Sequence, residues 1–158
     1  MKSKLIFFFS FMLFWSCGVQ TLKTYNETIV SVHQEFFDIN NRFYEQYYKI
    51  IGKPNAKQEL SKLIDVTKLQ IIDAQKPLDE LIIIKDHGLK ETLIDMYNKF
   101  DDSLDLYKGK LDLFTDSTKQ DVASVLILKE FNDINELDEL LKELQIQFAY
   151  YNKAKLTQ

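Results

Sequence analysis

Apolar residues recur at alternating spacings of four and three along most of this chain, and this feature constrains its fold more than any other. The first segment runs from about Tyr25 to Ile51. Its apolar positions are Tyr25, Ile29, Val32, Phe36, Ile39, Phe43 and Ile50, and the polar Gln46 interrupts them. This spacing places apolar side chains on one face of an α-helix. The segment therefore predicts a long amphipathic helix, which Gly52 and Pro54 end.

Three further segments have the same spacing and predict three more helices. The second begins near Ala56 and repeats at Leu60, Ile64, Thr67, Ile71 and Ala74. The third repeats at Leu89, Leu93, Met96, Phe100, Leu104, Tyr107, Leu111 and Phe114. The fourth is the longest and repeats at Ala123, Ile127, Ile134, Leu137, Leu141, Leu144, Phe148 and Tyr151.

Pro77 interrupts the second segment, and we expect a break or kink there because proline lacks a backbone donor and clashes one turn back. The apolar stretch from Leu78 to Ile84 stays unassigned. Its run Ile82-Ile83-Ile84 is compatible with extended chain but is too short and isolated to form a sheet.

Short corners separate the four segments. Gly88 marks one corner, and Ser117 with Gln120 matches a helix capping box at another. Gly109 weakens the third helix by about 1 kcal/mol relative to alanine. With only 4 Gly and 2 Pro in 158 residues, the chain lacks the turn signals of an all-β fold. The sequence predicts an all-α, up-down-up-down four-helix bundle.

The first residues have the features of a secretory signal. Lys2 and Lys4 precede an apolar run, Leu5 to Trp15, which the small residue Ser16 and then Cys17 follow. This run is too short to span a bilayer as a helix, which takes about 20 apolar residues.

Phe14, Trp15, Ser16 and Cys17 resemble the lipobox of bacterial lipoproteins. The resemblance implies cleavage before Cys17, diacylation of its thiol and acylation of the new amino group. The alternatives are a plain secretory signal with an incidental thiol and an uncleaved anchor. The predicted organisation is a signal peptide at 1–16, a lipidated cysteine with its tether at 17–24 and a helical bundle domain at 25–156.

This organisation has consequences for stability and location. Cys17 is the only cysteine, so the chain cannot form an internal disulfide and depends on its apolar core. The tether Gly18–Thr24 reaches at most about 25 Å, which keeps the folded body near the membrane. By resemblance to lipoproteins of Gram-negative bacteria, Gly18 in place of Asp after the cysteine favours the outer membrane.

A broader resemblance covers most of the chain after the signal. The features that carry it, besides the lipobox and Pro77, are Tyr25-Asn26-Glu27-Thr28-Ile29-Val30 and the region from Leu137-Asp138-Glu139 to Gln147-Phe148-Ala149. They resemble a family of small, helical bacterial surface lipoproteins of unknown function. The resemblance implies a lipidated helical envelope protein and supplies no catalytic residues.

The two histidines do not form a metal motif. Di-iron bundles use Glu-x-x-His, but Val30 precedes His33 and Ile84 precedes His87 at that spacing. His33 flanks the first apolar stripe, so we expect a partly buried, hydrogen-bonded side chain rather than a haem or metal ligand. His87 precedes Gly88, where we expect a solvent-exposed cap.

A partial calcium-loop pattern is present in the third segment. Asp101, Ser103, Asp105 and Asp112 occupy loop positions 1, 3, 5 and 12, but Leu106 replaces the glycine required at position 6. Because the helical repeat also continues through this region, we expect a solvated acidic helix face and no metal site.

Other polar residues have structural and binding interpretations. Asn40, beside the first stripe, is expected to fix the register of the core. Six acidic residues on the fourth segment predict a solvated face or a docking surface for a basic partner: Glu130, Asp133, Glu136, Asp138, Glu139 and Glu143. Five tyrosines predict packing in the core or at helix ends, with an interface as the alternative: Tyr44, Tyr47, Tyr48, Tyr150 and Tyr151.

The remaining chemistry favours a protein that is not an enzyme. The net charge of −4 offers no basic surface for nucleic acid, and we find no phosphate loop, nucleophile elbow or Cys-His pair. We therefore expect no cofactor, no metal and no catalytic residue. The predicted function is that of a membrane-anchored binding or structural module with an envelope partner. The alternative is a carrier of a small apolar ligand or haem within the bundle.

Overall fold

The computed structural model describes residues 20–82 and 85–156. The predicted signal peptide, Cys17, Gly18 and two residues of the Ile82–Ile84 run lie outside this part of the chain. Within it, the fold is all-α, and no strand occurs among the described residues. The helices are α1 (Leu22–Ile50), α2 (Ala56–Asp79), α3 (Leu89–Gly109), α4 (Leu111–Thr115) and α5 (Gln120–Leu156), with a short 3-10 turn at Ser117–Lys119.

Helix α1 begins three residues earlier than the sequence predicts. A reciprocal capping box forms at its start: the Thr24 amide donates to Thr21 Oγ1 (3.1 Å), and the Thr21 amide donates to Thr24 Oγ1 (2.9 Å). These two bonds satisfy backbone donors that a helix start leaves free. Leu22 to Thr24, which the sequence assigns to the tether, therefore belong to the helix.

Helix α2 does not break at Pro77. The proline lies in the last turn, and the helix continues to Asp79. Proline cannot donate to the carbonyl one turn back, and the helix ends two residues after it. The predicted break is thus wrong in position by two residues.

The third predicted helix is divided in two. Helix α3 ends at Gly109, and Lys110 leaves the helical region (φ −129°, ψ 37°) before α4 begins. The low helix propensity of glycine accounts for this end point. Phe114 is still fully buried, so α4 continues to supply the core.

The predicted capping box of Ser117 and Gln120 does not form. The side chain of Asp116 accepts instead from the Thr118 amide (2.9 Å), and the Gln120 side chain donates to the Asp116 carbonyl (3.3 Å). An aspartate cap one residue earlier satisfies the free amides of the 3-10 turn. Helix α5 follows, and its 37 residues make it the longest helix described.

The core consists of the predicted apolar stripes with few exceptions. In α1 the polar Gln46, which interrupts the apolar repeat, is exposed, and Tyr44 and Tyr47 are buried beside it. Tyr151, the last position of the fourth stripe, is 67% exposed, so its assignment to the core is wrong. The α5 stripe is buried only to Phe148.

Side-chain contacts identify the neighbouring helices. Tyr97 of α3 donates to the Val32 carbonyl of α1 (2.8 Å). The ring of Tyr25 lies 5.8 Å from that of Phe148, which brings α5 to the start of α1. Lys68 of α2 pairs with Asp101 of α3 (3.0 Å).

Candidate functional site

Three polar side chains from three helices meet in the core near the end of α1. The hydroxyl of Tyr44 donates to Glu130 Oε2 (2.6 Å) and lies 2.8 Å from the hydroxyl of Tyr107. The hydroxyl of Tyr107 also donates to Glu130 Oε2. We call this group, Tyr44, Tyr107 and Glu130, the tyrosine–glutamate cluster. It joins α1, α3 and α5 by one buried carboxylate.

The burial of Glu130 corrects a prediction. Its side chain is only 3% exposed, although we placed it on a solvated acidic face. Glu130 falls three residues after Ile127 and four before Ile134, which is the register of the buried stripe. The spacing alone therefore predicts a buried position for Glu130, but its charge favoured an assignment to the surface.

The cluster has strongly perturbed acidities. Burial raises the pKa of Glu130 above its ordinary value of 4.5, while hydrogen bonds from Tyr107 and Tyr44 act in the opposite direction. Burial and the neighbouring Glu130 carboxylate raise the pKa of both tyrosines well above 10. The tyrosine hydroxyls therefore stay protonated and act as hydrogen-bond donors, not as nucleophiles.

Two polar atoms near the cluster lack hydrogen-bond partners among the described residues. They are Glu130 Oε1 and the Asn40 Nδ2, and both side chains are buried. The burial of Asn40 agrees with its predicted place at the core, and its role in register stays a prediction. The Asn40 side chain also lowers the pKa of Glu130, which places its amide beside the buried carboxylate.

A second buried contact joins α1 to α5 through the predicted His33. Its Nε2 lies 2.8 Å from Asp138 Oδ1, and its ring contacts Phe37 at 5.1 Å. The prediction of a partly buried, hydrogen-bonded histidine is confirmed. Asp138 is buried, so its predicted place on the solvated face is wrong; it also pairs with Lys142 (2.7 Å).

A third buried carboxylate, Asp86, was not predicted from the sequence. It accepts from the Tyr25 hydroxyl, from the Gly88 amide (3.1 Å) and from the Lys90 amide (3.0 Å). Burial raises the pKa of Asp86, but these hydrogen bonds outweigh burial and hold it below its ordinary value. His87 is exposed as predicted, but the capping bonds at the start of α3 come from Asp86.

The partial calcium-loop pattern forms no loop. Asp101 and Asp105 lie on the continuous helix α3 and both pair with Lys68, at 3.0 and 2.7 Å. Asp112 pairs with Lys57, and the Ser103 hydroxyl donates to a backbone carbonyl. Across residues 20–82 and 85–156, no group of three or more His, Cys, Asp or Glu side chains is arranged to hold a metal ion.

The other acidic residues of α5 and the tyrosines divide between core and surface. Glu136, Glu139 and Glu143 are exposed, and the half-exposed Asp133 pairs with Lys99 (2.7 Å). Among the five tyrosines, two are buried and three are exposed, the latter being Tyr48, Tyr150 and Tyr151. Burial of Tyr44 and Tyr47 agrees with core packing, and an interface at the three exposed tyrosines stays a prediction.

An apolar groove lies between α1 and α2. It has a volume of about 440 Å³ and is lined by Ile50, Leu63 and Val66 between charged side chains that include Lys49, Lys53 and Lys62. Leu69 and Ile72 extend the exposed apolar surface along α2. These residues alternate with polar ones at helical spacing and offer a face that an amphipathic partner helix can cover.

None of the described helices is long and apolar enough to cross a membrane. No family model matches the chain, and comparisons with curated proteins and with solved structures found no similar protein.

Proposed function

We propose that this chain is a lipid-anchored, non-enzymatic module of the bacterial cell envelope. The observation that carries the proposal is the position of Cys17, which directly follows the short apolar segment and Ser16. Acylation there would attach several chains, and two or more chains hold a protein stably at a bilayer where one is marginal. Gly18 after the cysteine supports an outer-membrane location, and the lipobox resemblance supports membership in a family of small helical surface lipoproteins.

The structure offers a short connection between such an anchor and the folded body. The side chain of Gln20 donates to the Ile82 carbonyl (3.0 Å) and accepts from the Ile82 amide (2.8 Å). This pair of bonds attaches the chain to the body only three residues after Cys17. A tether this short favours a rigid support or docking module over a long-reaching arm.

We also propose that α1, α2, α3 and α5 form the up-down-up-down bundle. Val32 contacts Tyr97 and Tyr44 contacts Tyr107, so residue numbers increase together along α1 and α3. These contacts support a parallel orientation of α1 and α3. Contacts between α1 and α5 progress in opposite directions, since His33 meets Asp138 and Tyr44 meets Glu130. Such a body presents long, regular helix faces.

The interior chemistry favours binding over catalysis. Glu130, Asp86 and Asp138 are buried and hydrogen-bonded to other side chains, as expected of groups that specify packing. The α1–α2 groove and the exposed Leu69 and Ile72 form the surface that we assign to an envelope protein partner.

The carrier alternative receives less support. A small apolar ligand has the α1–α2 groove available, but the described core is occupied by rings in mutual contact, such as Phe43 and Phe100 at 5.7 Å. His33 Nε2 already contacts Asp138 Oδ1 (2.8 Å), which leaves only the other ring nitrogen for a ligand. An absorption spectrum and lipid extraction of the purified protein distinguish the two functions, since a carrier retains a chromophore or lipid.

Substitution of Cys17 tests the proposal. In the native host, we expect Cys17→Ser to lose most of its membrane association, because serine offers no thiol for the diacylglyceryl group. The measurement is fractionation of membrane and soluble proteins with detection by size. Ser16→Ala is the matched control, since it keeps a small residue before the cysteine and should stay in the membrane fraction. A Cys17→Ser protein of processed size that remains in the membrane would contradict the proposal.

A further inference from the structure

Four large apolar side chains are exposed at the end of the body where the chain leads back toward Cys17. They are Ile82, Ile146, Tyr150 and Tyr151, with 69, 70, 78 and 67% of their surface exposed. We call them the tether-end surface. Single exposed apolar residues are ordinary, but a group at one end of a molecule marks a site of contact.

Contacts place these residues at the same end. Ile82 is bonded through its backbone to the Gln20 side chain, just before α1 begins. The ring of Tyr151 lies 5.2 Å from that of His87, which precedes α3. Tyr150 contacts Tyr151 at 5.6 Å, and Ile146 lies one helical turn before Tyr150.

The length of chain between Gln20 and Cys17 limits how far this end can be from an anchor. Three residues reach at most about 11 Å. The headgroup layer on each side of a bilayer is roughly 5–8 Å thick. An acyl group on Cys17 would therefore hold the tether-end surface at or within the headgroup layer.

The side chains of the tether-end surface suit that environment. Tyrosine is enriched at membrane–water interfaces because its ring is apolar and its hydroxyl is polar. Isoleucine contributes apolar area that would gain from contact with acyl chains. A second copy of the chain would be a poorer occupant, because copies anchored in one plane direct this end at the lipid and not at each other.

We propose that the tether-end surface inserts into the interfacial region of the phospholipid bilayer and orients the body upright on the membrane. The inference rests on the proposed anchoring at Cys17. It adds a second contact that the anchor alone does not require. Tyr48 lies 26 residues beyond Leu22 in α1, which at about 1.5 Å per residue places it about 39 Å from the tether end. It is exposed and therefore provides a matched reference position.

A tryptophan probe tests the orientation. Trp15 is the only tryptophan, so cleavage before Cys17 leaves a chain without one. The Tyr150→Trp and Tyr48→Trp variants, expressed as full chains and processed in cells, are reconstituted in phosphatidylethanolamine–phosphatidylglycerol vesicles with or without brominated acyl chains. We expect bromolipid to quench the fluorescence of Tyr150→Trp at least threefold more strongly than that of Tyr48→Trp.

Each outcome assigns success or failure to one of the two proposals. Intact mass establishes first whether Cys17 carries acyl groups. A chain without acyl groups on Cys17 overturns the proposed anchoring. With acylation present, equal and weak quenching of both variants overturns the interfacial contact and leaves the anchor standing. A third outcome is that the tryptophan of Tyr150→Trp is shielded from solvent as the protein-to-lipid ratio rises, but is not quenched by bromolipid. That outcome identifies a second copy as the occupant and also overturns the interfacial contact.

Discussion

Replacement of Phe36 by alanine is expected to reduce the free energy of unfolding by about 3–5 kcal/mol. Phe36 is fully buried in α1, and its ring lies 5.1 Å from Tyr97 and 6.1 Å from Phe100 of α3. Truncation removes these contacts and leaves a cavity between two helices that cannot easily close. Such a loss is a large part of the total of about 5–15 kcal/mol for a typical domain. Chemical denaturation of the purified protein measures it.

The control for this prediction is an exposed polar residue of the same helix. Gln46 is exposed, so Gln46→Ala should change stability by no more than about 0.5 kcal/mol. Leu141→Ala in α5 should cost about 2–5 kcal/mol, since Leu141 is fully buried. Equal shifts of the denaturation midpoint in Phe36→Ala and Gln46→Ala would show that the assigned core face of α1 is wrong.

Removal of both hydroxyls from the tyrosine–glutamate cluster should cost about 3 kcal/mol or more at pH 7. The double variant Tyr44→Phe/Tyr107→Phe keeps the two rings but leaves the buried Glu130 carboxylate without its two donors. An ionised group that is buried and unpaired opposes folding more strongly than the lost bonds alone suggest. The measurement is the free energy of unfolding of the double variant and the unsubstituted protein.

This loss should depend on pH in a defined direction. Burial raises the pKa of Glu130 above 4.5 in the folded protein, so its contribution to stability is complete below pH 4.5 and is lost as the pH rises through the folded pKa. Hydrogen bonds from the two hydroxyls lower the pKa of Glu130, so their removal raises it. The loss of stability then continues to a higher pH. The double variant should therefore differ less from the unsubstituted protein at pH 4 than at pH 7. Asp86, whose pKa is lowered, titrates alike in both proteins.

Addition of Glu130→Gln to the double variant provides the control. Glutamine keeps the shape of the side chain and removes its charge, so much of the loss at pH 7 should be recovered and its pH dependence should disappear. An equal loss for the double variant at pH 4 and pH 7 would show that Glu130 is not charged in the folded core.

The helical stripes were predictable because burial in a helical body imposes a simple period on apolar residues. Helix α3 demonstrates this, since Leu93, Met96, Phe100 and Leu104 are all fully buried at the predicted positions. The ends of helices were less predictable because they depend on a few polar bonds. Thr21 extends α1, and Asp116 takes the capping position that we assigned to Ser117. Local alternatives of similar energy compete at such ends.

The buried polar residues were the main failure of sequence-based prediction. Glu130 and Asp138 follow the register of the α5 stripe, but a charged side chain is ordinarily assigned to solvent unless its partner is known. The partners Tyr44, Tyr107 and His33 are distant in sequence and come together only in the fold. Spacing within one helix identifies a buried face, but it does not identify the residue across the core that makes a charge tolerable there.

Anchoring through Cys17 is tested most directly by the intact mass of the protein purified from the membrane fraction of its host. We expect a chain that begins at Cys17 and exceeds the mass of residues 17–158 by a diacylglyceryl group and one amide-linked acyl chain. A chain that begins at an unmodified Cys17, or one that retains residues 1–16 without acyl groups, would contradict a lipid anchor at this position.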